Sequence, residues 1–194
     1  MKIINMKRVL YTCAAVFMLF LSSCKTEMVE PIDPFNLQQG GYMRTVTPFP
    51  IPIFSVSRAN MAGTSMQMVL EAVTPNLGAN FDTYELVIRF VDNTPANGSN
   101  SIAADAPLLT LKSTDYKKDP TTGYPRTTLT VTGKQMQDAL KLTDAQIATG
   151  DQFQIRGKMK LLNGMVFDAS NSSGDIVGGA FYSSPFLYRA NVAN

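Results

Sequence analysis

The residue types that do chemistry are sparse in this 194-residue chain: two cysteines, Cys13 and Cys24, and no histidine. Without imidazole there is no Ser-His-Asp or Cys-His nucleophile, no histidine metal site and no histidine pH sensor. Carboxylate pairs can run glycoside hydrolysis unaided, but the spacing of Asp92, Asp115, Asp119 and Asp168 singles out no pair. No glycine-rich phosphate loop or nucleophile elbow occurs either, so no enzyme activity and no cofactor is expected. Two polar runs, DNTPANGSN (92–100) and DASNSSGD (168–175), carry the oxygens that calcium takes. They are equally the residues that turns require, and neither has the EF-hand spacing, so a calcium site is not the expectation. Tryptophan is absent, which leaves Tyr116, Tyr124 and Tyr182, all on expected loops, as candidate faces for a sugar or peptide. Their competing role is to pack over the ends of the fold. Lys117 and Lys118 beside Tyr116 read as a solvated turn.

The chemistry of Cys24 depends on what precedes it. Lys2, Lys7 and Arg8 supply positive charge, and Val9 to Leu21 form an apolar run broken only by polar Thr12. Such a run is shorter than the roughly 20 apolar residues needed to span a bilayer and has the shape of an export leader. Leu21-Ser22-Ser23-Cys24 resembles a bacterial lipobox, in which the cysteine thiol is linked to diacylglycerol and becomes the mature amino terminus. The expectation is therefore a lipoprotein signal peptide over 1–23 and a lipid anchor on Cys24. Removing that leader takes Cys13 and three of the 17 basic residues, leaving 14 against 15 acidic ones, a net charge of −1. A chain so balanced offers no footprint for nucleic acid or anionic headgroups. With Cys24 lipidated, no thiol remains for a disulfide, and the fold must hold by packing alone.

Residues 24–40 carry Glu27, Glu30, Asp33, Pro31 and Pro34 and few core formers, which reads as a lipidated flexible linker. Acidic residues soon after the lipid-bearing cysteine also resemble the surface-export signal of Bacteroidota lipoproteins. From residue 41 onwards the pattern has period two. In TYELVIRFVDN, Tyr84, Leu86, Ile88 and Phe90 point one way and Glu85 and Arg89 the other. In DQFQIRGKMKLLNGMVFD, Phe153, Ile155, Met159 and Leu161 alternate with Gln154, Arg156, Lys158 and Lys160, and Asn163-Gly164 predicts a two-residue type I′ hairpin turn. Further strands are predicted over 45–57, 64–73, 108–112, 127–132 and 186–192, and Pro48, Pro50 and Pro52 mark the first of these as a guarded edge.

One stretch, GKQMQDALKLTDAQIATGD, breaks the alternation by placing Met136, Ala139 and Leu140 at helical spacing. Thr143 with Gln146 has the form of a capping box, and Gly150 that of a helix stop. The predicted fold is an all-β, antiparallel immunoglobulin-like β-sandwich of about seven strands over 41–194, with one or two short connecting helices.

The phrases GGYMRTV, YELVIRFVDNTP, GYPRTTLTVT, ALKLTDAQIATGDQFQIRGKMKLLNGMVF and SSPFLYRANV resemble, in that order, a group of small Bacteroidota lipoproteins. Members of that group are encoded beside SusC/SusD-type transporter pairs and have one immunoglobulin-like domain behind a lipid anchor. The resemblance implies an outer-membrane, outward-facing accessory of a TonB-dependent nutrient importer. Its implied partners are the transporter, its SusD-like lipoprotein, and a glycan or peptide ligand. It carries over no binding residue. The alternative is a structural, adhesin-like sandwich whose edge strands pair with other chains.

Overall fold

The computed structural model describes residues 40–184 and 186–194; the expected leader, Cys24 and all of the expected linker except Gly40 lie outside the described residues. Two sheets account for the fold. One holds β1 (Tyr42–Thr47), β3 (Ser65–Val73), β7 (Pro125–Thr132) and the two-residue β6 (Lys117–Lys118), side by side in that order. The other runs β2 (Phe54–Ser57), β10 (Leu187–Ala193), β8 (Gln152–Leu161), β4 (Phe81–Val91), β5 (Ile102–Lys112), with β9 (Val166–Phe167) paired to β8. The all-β sandwich expected from the period-two pattern is what these strands build. The order β1-β3-β7-β6 facing β4-β8-β10 is the ABED-against-CFG order of immunoglobulin sandwiches. One pair departs from the antiparallel expectation, since β2 runs parallel to β10.

The alternation translates directly into burial. Tyr84, Leu86, Ile88 and Phe90 of β4 and Phe153, Ile155, Met159 and Leu161 of β8 are all buried, while Glu85 and Lys160 are exposed. Burying each such side chain contributes about 2 kcal/mol. Phe90 packs on Phe153 with ring centroids 5.2 Å apart. Methionine fills much of the opposite layer: Met43, Met66 and Met68 are buried, joined by Met136 and Met159. A thioether on an unbranched stem adapts to irregular gaps, which suits a core with no disulfide to register it. β4 occupies the place of the strand that carries the core tryptophan in antibody domains. Here Tyr84 fills it, with its phenol end against Gly157 of β8, where an added Cβ would collide with the Tyr84 hydroxyl and the ring carbon that bears it.

Several expectations need correction. The predicted strand over 45–57 is two strands, because Pro48, Pro50 and Pro52 have no N–H to give a ladder. The chain leaves one sheet after Thr47 and joins the other at Phe54, so β1 and β2 are edges of different sheets. The strand predicted from Leu108 begins at Ile102. The β8–β9 hairpin has a three-residue loop rather than a type I′ turn: Leu161 N–H donates to Met165 O at 2.9 Å, and Gly164 N–H donates to Leu161 O at 2.9 Å. Only Gly164 (φ +85°) in this loop has positive φ, the pattern of a type I turn closed by a left-handed glycine.

The helix predicted around Met136 is α1 (Gly133–Ala139). Thr132 caps it reciprocally: Gln135 N–H donates to Thr132 Oγ1 at 3.1 Å, and Thr132 N–H donates to Gln135 Oε1 at 2.9 Å. The Thr143–Gln146 box forms too, around a single 3₁₀ turn, whereas Gly150 (φ +103°) sits in the next turn and stops no helix. A second helix, α2 (Gly174–Gly178), begins inside the 168–175 run that reads as loop.

Candidate functional site at the β9–β10 connection

Between β9, ending at Phe167, and β10, starting at Leu187, lie nineteen residues with one short helix. A connection this long is uncommon in a compact domain and usually has a job beyond joining strands. Its first turn is self-made. Asp168 accepts Ser170 N–H at 2.7 Å and the Ser170 hydroxyl at 2.5 Å, while Asp168 N–H donates to Asn171 Oδ1 at 2.9 Å. The Ser170 hydroxyl, the backbone donors of Ser170 and Asn171, and the Lys158 charge hold the Asp168 carboxyl below its ordinary range. Its far end is stitched to both sheets: Thr45 N–H donates to Ser183 O at 2.8 Å, and Gly157 N–H donates to Phe186 O at 2.9 Å. Ser183 (φ +48°) and Phe186 (φ +51°) are held in left-handed conformations, which non-glycine residues adopt at a cost of roughly 1–3 kcal/mol each. Asn76, Leu77 and Lys141 adopt the same conformation elsewhere in the domain.

Two clefts border this connection. The first, about 280 Å³, lies between the proline-rich 49–53 segment and residues 177–184, with Leu187, Tyr188 and Arg189 of β10 completing it. Its walls are apolar, and Phe49 and Ile53 stand about 60% exposed at its mouth (62% and 58%). Ser183 and Ser184 also line it; their hydroxyls are buried and have no hydrogen-bond partner among the described residues. The second cleft, about 200 Å³, lies on the outer face of the six-stranded sheet and is lined by Arg156, Lys158, Asp105, Asp168, Ser170 and Phe186. Apolar walls with a few polar groups describe small-ligand sites in general, and here each polar set is different. The first offers two hydroxyls and Arg189, the second Arg156 and Lys158 beside Asp105 and Asp168.

The three expected tyrosines do not converge. Tyr116 is withdrawn from any ligand: it is 8% exposed, packs edge-on to Phe81 with centroids 4.8 Å apart, and its hydroxyl donates to Met43 Sδ at 3.8 Å. The reason is that the chain turns back into the core just before β6. Tyr124 is half-buried in the β6–β7 turn, where its carbonyl accepts Asp119 N–H at 2.9 Å. Tyr182 does belong to the β9–β10 connection. Its ring packs edge-to-face on Tyr42 (5.3 Å) and on Phe181 (5.2 Å), and Phe181 is 80% exposed.

The polar loops are turns. Asp92 accepts Thr94 N–H on Oδ1 and Asn100 N–H on Oδ2, both at 2.9 Å, and those donors, Asn100 first, hold its carboxyl below the ordinary range. Buried Asp151 similarly accepts Asn93 N–H at 3.0 Å and Ala148 N–H at 2.7 Å. Among the described residues, no three His, Cys, Asp or Glu side chains gather as a metal ion would require. Glu71 is the strongest charge cluster outside the clefts: fully buried on β3, it accepts from Arg44 at 3.0 Å, Arg126 at 2.7 Å and the Thr122 hydroxyl at 2.7 Å. Three donors for one carboxylate make it a tie across β1, β3, β7 and the β6–β7 turn.

No protein-family model matches this chain, and no curated protein matches it. Among the described residues no helix is long and apolar enough to cross a membrane. Tyr182 is visible as a candidate in the sequence, whereas the clefts are not. The nineteen-residue interval between Phe167 and Leu187 and the outward cations of β8 were the signals available for them.

Proposed function

We propose that this is a non-catalytic lipoprotein of the outer-membrane surface, anchored through Cys24, that serves a SusC/SusD-type TonB-dependent importer by holding a nutrient polymer. The observation that carries the reading is the β9–β10 connection, whose length and two bordering clefts are more than strand joining requires. A membrane tether supplies the rest of the mechanism, because confinement near the importer raises effective concentration and makes weak contacts count. The sheet edges favour this over the structural alternative. β6 has two residues, β2 has four with Pro48, Pro50 and Pro52 just before it, and β5 carries Pro107 and two breaks in register. Short, broken or proline-marked edges are how sheets avoid pairing with other chains.

Replacing Cys24 by Ala removes the lipid site, and each buried methylene of an anchor contributes about 0.8 kcal/mol to membrane residence. The Cys24→Ala protein is expected in the soluble fraction of lysed cells while the parent sediments with outer membranes. Sedimentation of both would sink the anchor.

A further inference from the structure

We propose that the outer face of the six-stranded sheet binds an anionic polysaccharide, one bearing uronate or sulfate groups, through Arg156 and Arg189. The placement follows from register. On this face β4, β8 and β10 present Arg89, Gln154 and Arg189 in one transverse row, then Val87, Arg156 and Leu187 in the next. Gln152 and Asn191 lie beyond the first row and are joined at 2.9 Å; Gln154 donates to Gln152 at 3.1 Å. Six cations, Arg89, Lys112, Arg156, Lys158, Lys160 and Arg189, share the face with Glu85, Asp105 and, at its rim, Asp168.

The carboxylates do not use up the cations. Asp105 is committed to Arg89 at 2.5 Å, Glu85 lies opposite Lys158, and Asp168 is tied to Ser170. Arg156 and Arg189 form no ion pair among the described residues, and each lines one of the two clefts beside the β9–β10 connection. A guanidinium is a planar fork that matches carboxylate and sulfate oxygens, and amides beside it suit hydroxyls. Peptide recognition by strand addition needs unpaired backbone. Here β4, β8 and β10 are each paired on both sides, so only side chains are on offer. Charge with a row of amides on a fully paired sheet face favours a sugar acid over an acidic peptide.

This inference rests on the reading of the protein as a holder of nutrient polymer, and its test does not involve the importer. The lipidated full chain, in mild detergent, is titrated with polygalacturonate, with dextran sulfate, with fully methyl-esterified polygalacturonate, and with poly-glutamate. Expected is binding to at least one of the two anionic glycans, weakened by salt, with the esterified polymer and poly-glutamate bound at least tenfold more weakly. Each guanidinium is worth about tenfold in such a contact. Arg156→Gln and Arg189→Gln should each lose about that much with unchanged melting transitions, and Lys134→Gln, on α1, should lose nothing. Failure of both anionic glycans to bind overturns the proposal, as does equal binding of the esterified polymer or of poly-glutamate, or full affinity in the doubly substituted, folded protein. Recovery of the importer with the protein, alongside such a failure, would leave the functional reading standing and the anionic-glycan assignment refuted.

Discussion

Tyr84 illustrates how single residues were fixed by packing and not by hydrogen bonding. Its phenol end packs against Gly157, yet its hydroxyl is buried with no hydrogen-bond partner. Tyr188 comes near, but its own hydroxyl is joined to Thr45 Oγ1 at 2.9 Å, and its approach to Tyr84 falls short of hydrogen-bond geometry. Burial, and then the neighbouring Tyr188 phenol, push the Tyr84 hydroxyl well above its ordinary pKa, so it stays neutral at any working pH. Leaving such a group unsatisfied costs about 1–3 kcal/mol. Tyr84→Phe is therefore expected to be neutral or to stabilise by about 1 kcal/mol in urea unfolding, where most core substitutions destabilise. Asp92 gives the opposite case. Its folded pKa lies below the ordinary 3.8, so its contribution is present above that value and is lost as pH falls through the folded one. Thermal melts of Asp92→Asn should show a lower transition at pH 7 and a shallower decline below about pH 4 than the parent.

Elements were legible where one physical rule dominated. β8, and β4 from Tyr84 onwards, follow their alternation because each has one face in the core and one toward solvent, while a break in register between Phe81 and Thr83 interrupts it at the start of β4. α1 was legible from Met136 and Leu140, but its start was not: the box that stands out in the sequence is Thr143–Gln146, whereas Thr132 and Gln135 satisfy two backbone donors of the first turn of α1. Thr132→Ala should lower stability by about 1 kcal/mol in chemical denaturation, with Gln135→Ala costing less. Legibility failed where distant partners decide. The 45–57 stretch has strand composition throughout, and its transfer between sheets depends on β10, more than 130 residues away, which accepts β2 as a parallel neighbour. Tyr116 looked like a loop tyrosine because YKKD is polar, but the ring's position is set by Phe81 and Met43, which no local pattern reveals. The two clefts are of the same kind: the first joins residues 49–53 to 177–189, the second residue 105 to 156–186.

For the whole molecule, the immunoglobulin order supplies a rigid support from which the β9–β10 connection and one sheet face are displayed. The fold alone does not name a function, since the same sandwich supports many. What gives the reading its direction is the combination of an expected lipid anchor at Cys24, a connection built beyond joining strands, and a face with two uncommitted guanidiniums. The measurement that tests the central claim most directly is recovery from native outer membranes: the protein, tagged at Asn194 and solubilised in mild detergent, is captured and everything retained is identified by mass spectrometry. The expected result is a TonB-dependent transporter with its SusD-like lipoprotein, in amounts comparable to the bait. Recovery of the bait alone, as multimers of itself, would contradict the account and favour a structural sandwich.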